Sequence, residues 1–263
     1  MSDYLLAILL SLIQGLTEFL PISSSAHLQF PELVFGTKDL GLLFDVVAHA
    51  GTLLAVIYYF RTELKEIILS WVPGNSYQNQ QRFNEGLCLI IATLPMIALG
   101  LGFMDLVENW NLLAIAYTNI IFAIILLIAN KLGSQNKELR DITLKMALVI
   151  GCFQMFAIFP GASRSGMAIT GALAVGMSLH SSARFAFLLS IPAILGALSI
   201  MLLKDWQNLN ADEYILLFIG FTVSSIIAFL TIHIFLKLVN RIGMAPFVIY
   251  RLLLGLMILI AWT

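Results

Sequence analysis

Long apolar runs separated by short polar connections make up most of the chain and predict membrane-spanning helices. A helix needs about 20 predominantly apolar residues to cross a bilayer, and six runs approach that length. These predicted spans are residues 41–60, 86–104, 112–130, 184–203, 214–235 and 245–262. We therefore expect an all-α polytopic membrane protein with about six transmembrane helices.

Two further apolar segments are interrupted by helix-breaking residues and indicate a different structure. The first, residues 4–20, ends at Pro21, and the second, residues 142–159, ends at Pro160. A short second helix is expected after each break. Non-helical backbone at membrane depth is tolerated only where protein or a water-filled cavity surrounds it. The pattern predicts two re-entrant helical hairpins rather than two more spans.

The distribution of lysine and arginine provides a check on this topology. These residues concentrate in three loops that the scheme places on one side, at residues 61–85, 131–141 and 237–241. The connections on the other side, residues 105–111 and 204–213, hold Lys204 alone. This asymmetry satisfies the positive-inside rule, provided that each hairpin returns to the side from which it entered. Counting either hairpin as a full span would invert every later loop.

Each half of the chain is then one hairpin followed by three spans. Three is an odd number, so residues 1–130 and residues 131–263 are expected to form an inverted-topology repeat within a single membrane domain. Direct sequence identity between the halves is weak, and the repeat depends on topology. Such repeats place binding sites near the bilayer midplane, where broken helices of the two halves meet. The tips of the two hairpins are therefore expected to come together.

Composition supports the membrane class and excludes others. Hydrophobic residues make up 60% of the sequence and charged residues 11%, and the mean hydropathy is +0.96, far from the values of soluble domains. A net charge of -1 gives no reason to expect nucleic-acid binding. Cys88 and Cys152 both lie in apolar runs, which indicates buried, inert thiols rather than metal ligands.

The first hairpin carries an unusual set of polar residues for an apolar segment. Gln14 and Glu18 are four residues apart, which places them on one helix face, and Ser23, Ser24 and His27 follow. A carboxylate, hydroxyls and an imidazole are the groups that nucleophilic and acid–base catalysis uses. The alternative is a structural set, with a capping or interfacial glutamate and a satisfied buried histidine.

The second hairpin carries groups suited to an anion. Ser163, Arg164 and Ser165 stand at the predicted start of its second helix, and Thr170 lies further along that helix. Free backbone amides at a helix N-terminus and an arginine together favour phosphate oxygens. The alternative is a structural ion pair between Arg164 and Glu18, because the second hairpin has no carboxylate of its own.

Other intramembrane polar residues give weaker signals. Asp45 and His49 share one face of the first span and either support the site or lie at the membrane interface. His233 and Arg251 are expected near span ends, where long polar side chains reach towards the interface.

The two polar segments together resemble those of the undecaprenyl-diphosphate phosphatase family, the bacitracin-resistance type of integral-membrane enzyme. The family's first motif is matched by Gln14, Glu18, Pro21, Ser23, Ser24 and His27. Its second motif is matched by Pro160, Gly161, Ser163, Arg164, Ser165 and Thr170. Similar stretches beginning at Phe44, Ala183 and Phe247 extend the resemblance over nearly the whole chain. Many members have glutamate where Gln14 stands, which leaves Glu18 as the only carboxylate of that pair.

The resemblance implies hydrolysis of a C55 polyprenyl diphosphate to the monophosphate and phosphate. This reaction recycles the carrier lipid of cell-wall synthesis and confers bacitracin resistance. The expected setting is the bacterial plasma (inner) membrane, with the site served from the outer, periplasm-like side. The implied partners are the polyprenyl diphosphate lipid and the bilayer, and a homodimer is one expected assembly. A divalent cation, Mg or Ca, is also implied, with Glu18 as a ligand.

The resemblance also suggests roles for the residues of both motifs. Catalytic roles are expected for Glu18, Ser24, His27 and Arg164, and the choice of nucleophile between Ser24 and His27 stays open. Substrate binding is expected to involve Gln14, Ser23, Ser163, Arg164, Ser165 and Thr170. The rival hypothesis is a secondary transporter or a flippase of a phosphorylated lipid, since inverted repeats with broken helices are also transporter architecture.

Overall fold

The structure, a computed structural model, describes residues 2–29, 31, 36–73, 80–102, 112–201 and 211–262. These residues form α-helices joined by short turns, and the described part contains no β-strand beyond an isolated bridge between Lys137 and Met177. The helices are α1 (Asp3–Thr17), α2 (Ser24–Leu28), α3 (Leu42–Tyr59), α4 (Arg61–Ser70), α5 (Gln80–Gly102), α6 (Leu112–Leu132), α7 (Leu144–Met155), α8 (Arg164–Ala174), α9 (Leu179–Met201), α10 (Ala211–Ile242) and α11 (Ala245–Trp262).

The prediction of an all-α polytopic membrane protein is confirmed. By length and composition, α3, α5, α6, α9 and α10 are long and apolar enough to cross a membrane. The sixth expected span corresponds to α11, whose apolar stretch Ala245–Ile260 is shorter. Much of the outward surface of these helices is apolar, as lipid contact requires. The predicted connection at residues 105–111 lies outside the described residues, as do residues 204–210 of the connection predicted at 204–213, whereas residues 211–213 begin α10.

Both predicted helix breaks are present. Helix α1 has 15 residues and α7 has 12, which at 1.5 Å per residue gives lengths of about 22 Å and 18 Å, less than the roughly 30 Å hydrocarbon core. After α1 the chain turns at Pro21 and continues into α2. After α7 a 3₁₀ turn, Phe156–Ile158, precedes the break at Pro160 and the start of α8.

Helix packing explains where the two breaks meet. Helix α8 lies at the centre, where every residue from Ser165 to Leu173 is buried, and it packs on α6, α7 and α9. Helix α1 packs on α10 of the other half, and α7 packs on α5 in the corresponding way. Other close pairs include α3 with α10 and α6 with α11. The two halves therefore interlock, and the inverted repeat stays a prediction of the topology.

Two details differ from the expectations. The predicted polar loop at residues 61–85 contains helix α4, which is tied to α5 because Arg82 Nε lies 2.8 Å from Glu66 Oε2 and Arg82 Nη1 lies 2.6 Å from Glu85 Oε2. Cys152 is exposed on the outer face of α7, so the expectation of a buried thiol was wrong there and right for Cys88. An apolar run does not show which face of a helix meets lipid.

Candidate active site

The residue immediately before the second helix of each hairpin is a serine with an uncommon backbone conformation. Ser23 has φ 71° and Ser163 has φ 70°, values in the left-handed region that non-glycine residues rarely adopt. The Ser23 Oγ lies 3.1 Å from Ser25 Oγ, and the Ser163 Oγ lies 3.2 Å from Ser165 Oγ. Strained backbone of this kind clusters at functional sites. The two turns share one construction.

The tips of the hairpins are in direct contact. The Ser165 hydroxyl donates to the Leu20 carbonyl at 3.0 Å, and Arg164 Nη2 donates to Glu18 Oε1 at 2.9 Å. Both bonds run from the start of α8 to the turn that follows α1. The structure therefore brings together the two motifs, which are more than a hundred residues apart in the chain.

Glu18 is the centre of this contact. Besides the bond from Arg164, its Oε2 accepts from Gln14 Nε2 at 2.9 Å and from the Ser24 hydroxyl at 2.8 Å. Only 3% of the Glu18 side chain is exposed. A carboxylate removed from water in this way is tolerated only with charge pairing and several donors, and Glu18 has both. A hydroxyl bonded to a carboxylate is also the arrangement of an activated nucleophile.

Gln14 leaves one polar atom without a partner. Its side chain is fully buried, and while Nε2 donates to Glu18, Oε1 accepts no hydrogen bond from any described residue. Buried unsatisfied acceptors are rare, and strain, a water molecule or an ion at the atom accounts for them. In the described part of the chain, no three His, Cys, Asp or Glu side chains are grouped to hold a metal ion. Gln14 and Glu18 could still hold a hard cation, because Mg²⁺ typically keeps water and phosphate oxygens as its other ligands.

His49 stands beside Glu18 and was only weakly indicated by the sequence. Its Nε2 lies 3.6 Å from Glu18 Oε2, and its Nδ1 lies 2.7 Å from the Asp45 carbonyl oxygen. Because a carbonyl only accepts, Nδ1 carries a hydrogen and Nε2 faces the carboxylate. The shared helix face of Asp45 and His49 was the available signal, and the structure favours the supporting role over an interfacial one for His49.

His27, predicted within reach of the serines and of Glu18, contacts Ser23 but not Glu18. Its Nδ1 lies 2.7 Å from the Ser23 carbonyl oxygen and its Nε2 lies 2.6 Å from the Tyr250 hydroxyl. The two rings stack with centroids 5.5 Å apart. In the neutral ring, Nδ1 donates to the carbonyl and Nε2 accepts from the hydroxyl. Both nitrogens are thus engaged away from Glu18 and Ser24, and Tyr250 is a neighbour that the sequence did not indicate.

The other polar residues of the second hairpin point to backbone groups. The Ser163 hydroxyl accepts from the Gly166 N–H at 3.1 Å and caps α8. The Thr170 hydroxyl donates to the Gly166 carbonyl at 2.7 Å and is fully buried. Among the second-hairpin residues predicted for the site, Arg164 alone reaches Glu18.

Arg251 lies behind the tips, contrary to the expectation of a span-end residue. It is fully buried, and its guanidinium contacts the turns of both hairpins. A run of apolar residues around one arginine shows neither the depth of the arginine nor its partners. His233, the other residue expected near a span end, is exposed.

A partly open cavity of about 230 Å³ lies next to the site. Its lining includes His49, Asp45 and Ser25, together with the exposed residues Lys38 and Asp39. His49 borders both this cavity and Glu18, so the cavity lies one side chain away from the carboxylate. It lies at the end of the bundle where α1 and α3 begin, opposite the end where α3 is followed by α4.

The sequence was compared with known proteins. Residues 7–257 match the family model described as bacitracin resistance protein BacA. A protein of Teredinibacter turnerae named undecaprenyl-diphosphatase is 44% identical over 264 residues, covering 98% of this chain and 99% of the relative. A protein of Saccharophagus degradans with the same name is 45% identical over 96% of both chains. Undecaprenyl-diphosphatase 1 of Pseudoalteromonas translucida is 43% identical over 97% of both chains.

Proposed function

We propose, because this chain belongs to the bacitracin resistance protein BacA family, that it hydrolyses undecaprenyl diphosphate to undecaprenyl phosphate and inorganic phosphate. The observation that carries the mechanism is the Ser24 hydroxyl, which donates to Glu18 at 2.8 Å while Arg164 holds the other oxygen of the same carboxylate. A nucleophile, a base and an anion-binding cation thus meet at one point.

Arg164 is the group that binds the diphosphate. Its side chain is 21% exposed and one Nη2 bond goes to Glu18, which leaves other N–H donors of the guanidinium fork for phosphate oxygens. The side chain extends from the first turn of α8, where the helix dipole also favours an anion. Phosphoryl transfer depends mainly on positioning and on neutralising charge, and Arg164 serves both.

Ser24 is the better candidate for the nucleophile, because His27 has both ring nitrogens engaged with Ser23 and Tyr250. The Ser24 oxygen attacks the terminal phosphorus and its proton passes to Glu18. The bond between that phosphorus and the bridging oxygen breaks, and undecaprenyl phosphate leaves. Glu18 gives the Ser24 proton to the leaving oxygen. Water then attacks the phosphoserine, Glu18 accepts the proton of the water and returns it to the Ser24 oxygen, and phosphate is released.

A divalent cation, Mg²⁺ or Ca²⁺, fits this site because Gln14 Oε1 accepts no hydrogen bond from the described residues. Gln14 Oε1 and the Glu18 carboxylate would hold it, with water and phosphate oxygens as the remaining ligands. When bound, the cation neutralises charge on the phosphates. The presence of one carboxylate rather than two favours a cation that arrives together with the diphosphate.

The proposed setting is the bacterial plasma membrane, with the active site served from the outer side. The lysines and arginines concentrate in the loops at the end of the bundle that carries α4, which the positive-inside rule assigns to the cytoplasm. The cavity beside His49 opens at the opposite end. Hydrolysis there would return the carrier lipid to use in cell-wall synthesis and would support resistance to bacitracin.

Phosphate release by the purified protein tests this function. The wild type in detergent should release phosphate from undecaprenyl diphosphate, and Ser24→Ala should lower kcat by about 10³-fold or more, because covalent catalysis is lost. Ser134→Ala, an exposed serine in the loop after α6, serves as the control and should keep wild-type turnover. Absence of phosphate release by the wild type would indicate a transporter or flippase instead. Full activity of Ser24→Ala would refute the nucleophile.

A further inference from the structure

Arg251, on α11, makes four hydrogen bonds with its guanidinium group although it is fully buried. Its Nε donates to Asn119 Oδ1 at 2.8 Å. Its Nη2 donates to the carbonyls of Gly161 at 2.8 Å and Ala162 at 3.1 Å. Its Nη1 donates to the Pro21 carbonyl at 3.4 Å, the longest of the four. The partners thus come from both hairpin turns and from α6.

No carboxylate lies within ion-pair distance of Arg251 in the described part of the chain. A buried charge without a counter-ion is costly, and apolar residues of similar volume usually serve stability as well or better. Stability of the fold therefore gives a poor account of an arginine at this position. Four of its five N–H donors point to groups of the protein, so it is not arranged as a substrate ligand.

The carbonyls that Arg251 binds flank the reacting groups in the chain. Pro21 lies midway between Glu18 and Ser24. Gly161 and Ala162 lie just before Arg164. An arginine that binds both turns fixes how far the nucleophile and base of the first hairpin stand from the cation of the second.

The anchor of Arg251 lies outside both hairpins. Asn119 on α6 accepts from Arg251 Nε, and its own Nδ2 donates to the Arg251 backbone carbonyl at 3.1 Å. Helices α6 and α11 pack on each other, so the pair stands on a rigid frame. The first turn of α8 leaves little space for movement, because a Cβ added at Gly166 would lie 3.2 Å from Arg251 Nη1.

We propose that Arg251 is a positioning residue, whose guanidinium holds the Pro21 turn against the Gly161–Ala162 turn and so sets the spacing of Glu18 and Ser24 from Arg164. The inference rests on the proposed function, since the reaction that it serves is the hydrolysis of the polyprenyl diphosphate. Arg251 acts through the backbone of the hairpins and does not touch the substrate.

Steady-state kinetics of Arg251→Lys distinguish positioning from other roles. Lysine keeps the charge but has three N–H donors and no planar fork, so it cannot bind the four partners of Arg251 at once. We expect kcat to fall about 100-fold, the loss typical of a misplacement of about 1 Å, while KM stays within about threefold because Arg164 still binds the phosphates. A higher KM with unchanged kcat would identify Arg251 as a direct anion ligand and overturn the proposal. Wild-type kcat and KM would overturn it as well.

Two further variants keep this test valid. Arg241→Lys, an exposed arginine at the end of α10, is the matched control and should keep wild-type kinetics. If Arg251→Lys does not fold, Asn119→Ala removes the anchor of Nε and the bond to the Arg251 carbonyl. This variant leaves the bonds to both turns in place and should lower kcat about tenfold with little change in KM. Unchanged kcat in a folded Asn119→Ala protein would count against the proposal.

A distance measurement tests the inference independently of activity. Spin labels at Leu16→Cys on α1 and Phe156→Cys after α7, both exposed positions, report the separation of the hairpins in a Cys152→Ser background. The distance distribution should be longer or broader in Arg251→Lys than in the parent protein. An unchanged distribution would refute the role of Arg251, whereas absence of phosphate release by the wild type would refute only the proposed function.

Discussion

The two hairpins have the same backbone design and carry opposite chemistry. In each hairpin, a serine with φ near 70° immediately precedes the second helix. The hydroxyl of that serine is hydrogen-bonded to the hydroxyl of the serine two residues later. When Ser23 is aligned with Ser163, Ser24 corresponds to Arg164. The first hairpin thus provides the hydroxyl at the position where the second provides the cation, and neither forms a site alone.

The same alignment places Gln14 opposite Gln154 and Glu18 opposite Ile158. Both glutamines are almost fully buried, at 0% and 1% exposure. Gln14 donates to Glu18, but Gln154 Nε2 lies 3.2 Å from Met96 Sδ. The second hairpin therefore keeps the shape of the first without its carboxylate. Glu18 of the first hairpin is therefore the carboxylate that the contact between the two tips uses.

Removing the cation of the second hairpin should have the largest effect. Arg164→Ala should lower kcat/KM for undecaprenyl diphosphate by about 10³-fold or more, comparable to the loss of an arginine that stabilises phosphoryl transfer. It also leaves the buried Glu18 unpaired, so thermal unfolding in detergent should occur at a lower temperature. Arg140→Ala, an exposed arginine in the loop after α6, is the control. Wild-type phosphate release by Arg164→Ala would show that the site is assigned wrongly.

The turn of the second hairpin should be the next most sensitive feature. Gly161 has φ 89°, and a Cβ added there would lie 2.6 Å from the Ile115 carbonyl oxygen. Gly161→Ala combines a left-handed alanine with a close contact, and we expect a loss of stability of roughly 3 kcal/mol. Thermal unfolding measures this loss.

Gly196→Ala is the matched control for Gly161→Ala, because nothing lies within 4 Å of an added Cβ in α9. The control should be neutral or stabilise the protein by up to about 1 kcal/mol. Equal unfolding temperatures for the two variants would contradict the tight turn.

The sequence allowed the fold and the meeting of the hairpins to be predicted because both follow from solvent physics. Apolar length gives the spans, and a proline followed by serines in an apolar run gives the breaks. The asymmetry of Lys and Arg predicts an orientation, which stays a prediction. Polar groups such as Glu18 and Arg164 must find partners at membrane depth. None of these arguments requires knowledge of side-chain directions.

The finer contacts could not be predicted, because they depend on the directions of individual side chains. His27 was expected to reach Glu18, but its ring is turned towards Ser23 and Tyr250, a choice that depends on where α11 packs. Arg251 was expected at a span end because one arginine in an apolar run gives no sign of its depth. Its partners are backbone carbonyls, which every sequence contains and no motif marks.

The smallest predicted effect is a difference in stability between two variants, at the serines that immediately precede α2 and α8. The Ser163 hydroxyl caps α8 by accepting from the Gly166 N–H, whereas the Ser23 side chain makes no such bond to α2. Ser163→Ala should therefore cost about 1 kcal/mol of stability through the lost cap, and Ser23→Ala should cost less. Unfolding temperatures of the two variants in the same detergent measure the difference. A larger loss for Ser23→Ala would mean that its contact with Ser25 matters more than the cap, and that the likeness of the two turns is limited to the backbone.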